Sequence, residues 1–123
     1  MIGYVTLGTN DLDRAARFYD ALLAEIGAKR IMQTERFVVW GTAPDKAMLG
    51  LFKPFDGKPA TVGNGVMVAL QVESPERVAA MHRKALELGA SDEGPAGPRG
   101  VPGFHGGYFR DPDGNKLNFY CFA

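Results

Sequence analysis

The stretch VTLGTNDLDRAARFYDALLAEIGA (5–28) is written a second time, in altered form, as VALQVESPERVAAMHRKALELGA (68–90). With an offset of 63 (68 minus 5), Val5, Leu7, Arg14, Ala16 and Leu23 fall on Val68, Leu70, Arg77, Ala79 and Leu86, and one deletion then sets Gly27 on Gly89. Self-similarity at a fixed period marks repeated supersecondary units, so the chain is expected to be two like halves. A half of about 60 residues with one helix can cover one face of one sheet, and its other face must be closed by its twin or by a second chain.

Each half carries its own punctuation. Leu12, Ala15, Ala16, Tyr19, Leu22, Leu23 and Ile26 recur at helical spacing, with Asn10 or Asp11 as N-cap and Gly27 just past the end. In the second half Ser74 caps, Pro75 suits the first helical position, and Val78, Met81, His82, Ala85, Leu86 and Leu88 form the apolar stripe up to Gly89. Strands are expected at about 2–8, 29–33, 36–41, 47–52, 65–72, 91–93, 107–110 and 115–121. The fold class is therefore α+β: two tandem βαβββ modules, about 1–58 and 64–123 of a single domain, with curved sheets enclosing a cleft and helices on the outer face.

Charge narrows the partners. Fourteen basic and fourteen acidic side chains cancel, so no net field draws the chain to nucleic acid or an anionic membrane, and a small-molecule ligand is the expected partner. The single cysteine, Cys121, has no intrachain partner, and the N-terminus lacks a basic and apolar leader pattern. No apolar run approaches the ~20 residues of a bilayer span. A cytoplasmic protein is the expectation. Short open sheet edges and faces point to a homodimer.

The end of the chain, RDPDGNKLNFYC, reads as a tight turn and a strand: Pro112 presets φ, Asp111 bonds the turn backbone and Gly114 takes the positive φ. Together with the VTLGTNDLDRAARFYDALL opening and the GNGVMVALQVES start of the second half, this motif resembles the vicinal-oxygen-chelate superfamily of glyoxalase I, extradiol dioxygenases and bleomycin-resistance proteins. The resemblance covers nearly the whole chain. It implies a divalent metal held by His or Glu on the first and last strands of each half, positions that fall here on Tyr4, Gly50, Met67 and Asn118. None supplies an imidazole, carboxylate or thiolate, so no metal and no cofactor is expected, and Asn118 stands where the family has a glutamate.

Strand alternation sorts the faces. Val5, Leu7, Leu49, Leu51, Val66, Val68, Leu70, Val72, Leu117, Phe119 and Cys121 are expected to meet the helices. The opposite face then shows Tyr4, Thr6, Met48, Gly50, Phe52, Met67, Ala69, Gln71, Lys116, Asn118 and Tyr120. To this ligand-binding lining Trp40, Tyr108 and His105 are added, although core packing suits Trp40 and Tyr108 equally and His105 also reads as a solvated loop residue. His82 reads as a hydrogen-bonded histidine at the core edge. The loop GPAGPRGVPGFHGG (94–107) reads as either a lid or a connector, with Arg99 in it either meeting an anion or solvated.

Three functions follow: a metal-free binder of a small apolar or aromatic molecule; a lyase, isomerase or dioxygenase drawing its metal or base from other residues such as His105; or a scaffold with a vestigial cleft. No catalytic residue can be assigned, because the strand-borne lining has no carboxylate or histidine and His105 joins it only from the loop.

Overall fold

Tyr4–Gly8 (β1), Leu12–Ala24 (α1), Lys29–Gln33 (β2), Phe37–Gly41 (β3) and Met48–Phe52 (β4) make the first module in the computed structural model, which describes residues 1–123. The second module repeats the order with Val68–Gln71 (β5), Pro75–Glu87 (α2), Ser91–Pro98 (β6), Phe104–Arg110 (β7) and Lys116–Phe122 (β8). The fold is α+β, two βαβββ modules. The chain separates into two compact units, Met1–Val62 and Gly63–Ala123. Their sheets have the same strand order, β1-β4-β3-β2 and β5-β8-β7-β6, with the first and last strands of each module paired in parallel.

The duplicated punctuation is duplicated in space. Asp11 caps α1 by accepting the Arg14 amide at 3.0 Å, and Ser74 caps α2 by accepting the Arg77 amide at 3.1 Å. Past each helix a left-handed glycine, Gly27 at φ 80° and Gly89 at φ 109°, turns the chain. The next amide then reaches back five residues, Ala28 to Leu23 and Ala90 to Ala85, at 3.0 Å in both. The repeat is thus one capped helix unit, used twice.

Each helix buries one face of its own sheet. In module 1 Ala15, Ala16, Phe18, Tyr19, Leu22 and Leu23 of α1 are buried, as are Val38, Trp40, Leu49 and Leu51 of the sheet. In module 2 Val78, Met81 and Ala85 of α2 are buried, and Leu117, Phe119 and Cys121 alternate along β8 with Phe109 stacked on Phe119 at 5.6 Å. Cys121 is a buried free thiol. His82 is likewise buried, its Nε2 lying 3.1 Å from the Tyr108 carbonyl and 3.2 Å from Asp92 Oδ1. No helix is long and apolar enough to cross a membrane.

Three expectations are corrected. Strand β5 begins at Val68, so Val66 and Met67 precede it and are exposed. Trp40 leaves the ligand-binding lining: it is 1% exposed, packs on Tyr19 at 5.6 Å and donates its indole N–H to Asp20 Oδ1 at 2.9 Å. Most of the 94–107 stretch is strand, because β6 continues to Pro98 and pairs with β7 around bulges at Gly94 and Gly97. Gly94 takes φ 154°, so the glycine spacing serves an irregular strand edge and leaves only 99–103 as a loop.

Asp20 ties α1 to β2 and β3. Its carboxylate holds Arg30 through a two-point pair at 2.9 and 2.7 Å besides accepting from Trp40. The Arg30 hydrogen bonds lower its pKa below 3.8, with the Trp40 bond adding to them and burial opposing. A lowered folded pKa means the stabilisation is full above the ordinary carboxylate value and is lost as pH falls through the folded one. Urea midpoints followed by Trp40 emission are therefore expected to drop below about pH 4 in the wild type, and Asp20→Asn is expected to remove that part of the acid dependence.

Candidate functional site

The helix-free face of module 1 is walled into a groove of about 670 Å³. Its floor is Tyr4 and Thr6 of β1, Phe52 of β4 and Phe37 of β3. Phe37 pairs with Phe52 across the β3–β4 ladder, and their rings stack at 4.6 Å and 16°. The wall is the chain after β4: Pro54, Phe55 and Asp56, then Pro59 to Thr61. Asn10 holds that wall, accepting the Ala60 amide at 2.6 Å and donating to the Ala60 carbonyl at 3.1 Å. Arg36 donates to the Pro54 carbonyl at 2.9 Å, which fixes the near end. Aromatic floor, two cations (Arg36 and Lys53) and one rim carboxylate, Asp56, suit a small ligand with a flat apolar body.

The helix-free face of module 2 carries Ala69, Gln71, Phe104, Tyr108, Lys116, Asn118 and Tyr120. In the ladder Ala69 and Tyr108 flank Asn118 on either side. Asn118 is 1% exposed, and its Oδ1 is buried with no hydrogen-bond partner. Phe104 stacks on Tyr120 at 5.7 Å. The guanidinium of Arg99 lies 5.1 Å from the centre of the Tyr108 ring, and the Lys116 ammonium lies 5.7 Å from it.

His105 is not on this face. It pairs with Cys121, two residues along β7 from Gly107, whose Cβ position is filled by the His82 ring of α2 at 3.1 Å. Alternation therefore turns His105 to the helix-covered side, where its Nδ1 lies 3.3 Å from the Gly103 carbonyl.

A family model described as the Glyoxalase/Bleomycin resistance protein/Dioxygenase superfamily matches residues 1–119. The chain belongs to this superfamily. Its likeness to a glyoxalase/bleomycin resistance protein from Albidiferax ferrireducens T118 is 33% identity over 98% of this chain and 97% of that one, at TM-score 0.87. A glyoxalase/bleomycin resistance protein/dioxygenase family enzyme from Burkholderia phytofirmans PsJN is 18% identical, covering 98% of both chains, at TM-score 0.81. Lactoylglutathione lyase from Agrobacterium tumefaciens is 21% identical over 98% of this chain and 92% of that one, at TM-score 0.73. The last two likenesses are of fold alone. No curated protein sequence matches the chain.

The metal that the superfamily resemblance implies does not fit these residues. Tyr4 is a 62% exposed phenol, and Met67 precedes its strand. At Gly50 a Cβ would lie 2.6 Å from Cε1 of Phe52 and 3.3 Å from Cγ2 of Val39. The Phe52 ring thus occupies the place of a ligating side chain. Asn118 offers a neutral amide oxygen, a weak donor without stronger ligands beside it. Nowhere are three or more His, Cys, Asp or Glu side chains gathered as a metal set.

Phe37, Phe55 and the wall segment escaped the sequence reading. Six residues separate β3 from β4, so the register that puts Phe37 opposite Phe52 is not set by a two-residue turn. The available signal was the hairpin itself, since the two phenylalanines stand at its open end.

Proposed function

We propose that the protein is a metal-free, glyoxalase/bleomycin-resistance-like binder of a small apolar or aromatic molecule, held in the module 1 groove by Tyr4, Phe37 and Phe52. The parallel Phe37–Phe52 pair on the floor of a 670 Å³ groove carries this reading. A flat ring laid on that floor gains stacking of about 0.5–1.5 kcal/mol beyond area burial, and Arg36 and Lys53 favour an anionic substituent at its edge. The superfamily's metal chemistry has no donor set here.

Titration with indole and 2-naphthoate tests it. The naphthoate is expected to bind more tightly, with Phe52→Ala and Tyr4→Ala each weakening it by about threefold to tenfold. Equal affinity in wild type and both variants would sink the groove reading. Metal status is read separately: after exposure to zinc or nickel and desalting, less than stoichiometric metal is expected by elemental analysis. Edge strand β2, with Ile31 and Met32 exposed, supports homodimerisation, for which sedimentation equilibrium is the check.

A further inference from the structure

We propose that the helix-free face of module 2 holds a subsite for a small organic anion that carries an O–H or N–H donor beside its carboxylate. The donor requirement comes from Asn118. A buried acceptor without a partner loses its water and receives nothing in return, a cost native proteins rarely bear except where something else supplies the bond. The Ala69 side chain on one side of Asn118 is apolar, and Tyr108 on the other presents a ring flanked by cations.

The anion requirement comes from those cations. Arg99 is strapped in place by the carbonyls of Pro95 at 2.5 Å, Pro98 at 3.0 Å and Gly97 at 3.1 Å, all neutral acceptors that leave its charge uncompensated. Lys116 forms no ion pair and stands two residues from Asn118 on the same face of β8. The nearby carboxylate of Glu93 is engaged by Arg110. A carboxylate meeting Lys116, with a hydroxyl or amine donating to Asn118 Oδ1 and the Arg99 charge acting at longer range, would satisfy both groups at once. The subsite stands on module 2 and does not rest on the aromatic groove of module 1.

Glycolate and acetate differ by the one hydroxyl that matters. In an ¹⁵N–¹H titration of the full chain at constant ionic strength, following the backbone amides of β8 around position 118, glycolate is expected to bind about fivefold or more tightly than acetate, the ratio that one net hydrogen bond gives. Asn118→Leu is expected to equalise the two, and Lys116→Met to weaken both by about threefold to tenfold while keeping the preference. Melting temperature keeps a folding defect distinguishable: Asn118→Leu is expected to melt higher than wild type. Equal binding of the two anions by wild type, saturation by neither, or a preference that survives Asn118→Leu would each overturn the proposal.

Discussion

Asp111→Ala is expected to lower the folding stability by about 3 kcal/mol, or roughly 10 °C in melting temperature. Asp111 is only 4% exposed. Its Oδ1 accepts the Asp113 and Asn115 amides at 2.9 Å each, and its Oδ2 accepts the Asn115 side-chain amide at 3.0 Å. The backbone adds Gly114 N–H to Asp111 carbonyl at 2.8 Å, with Gly114 at φ 91°. Truncation removes the acceptors and leaves those donors unmatched in a half-buried turn, and bonds to a charged group are worth about 1.5–3 kcal/mol each without adding in full. Asp111→Asn retains an oxygen for the two backbone amides, so a smaller loss is expected. Urea unfolding by circular dichroism separates the three proteins. If Asp111→Ala unfolds at the wild-type midpoint, the Asp111 carboxylate does not stabilise the β7–β8 turn.

Asn118→Leu is expected to move stability the other way, upward by about 1–2 kcal/mol. Leucine is close to asparagine in shape and has no oxygen to leave unpaired, while Ala69 and the Tyr108 ring beside it accept an apolar neighbour. A gain in stability joined to a loss of glycolate preference is the signature of a residue kept for binding at the expense of the fold. A drop in stability would instead mean that Asn118 serves the packing of the sheet. Unfolding midpoints of the two proteins without added anion decide between these outcomes.

What was legible in the sequence acts over a few residues. Ser74 and Asp11 reach amides three positions on, Gly27 and Gly89 supply a backbone conformation of their own, and Asp111 closes a turn of five residues. Alternation carried this further, placing Leu117, Phe119 and Cys121 on the helix side and Lys116, Asn118 and Tyr120 opposite, because side chains on a strand change face at every step. His105 was misplaced because it was read as part of a loop, where alternation was not applied; in β7 it is followed by Gly106 and Gly107, which hide the strand's period.

Tertiary structure alone decided the rest, since the deciding contacts join residues far apart along the chain. Trp40 belongs to the core because Asp20 and Tyr19 of α1 meet it there. Gly50 has no room for a ligand because the Phe52 ring turns back over it, and the groove exists because Asn10 ties down Ala60 fifty positions away. The two βαβββ modules, the Ser74 cap and the lack of imidazole or carboxylate at Tyr4, Gly50, Met67 and Asn118 could be read from the chain because they are local or compositional, whereas the choice of Asp11 over Asn10 as the first cap came from the folded helix. The register of the long-looped hairpins, the walls of the groove and the unpaired oxygen of Asn118 were settled only by packing, which local propensity does not encode.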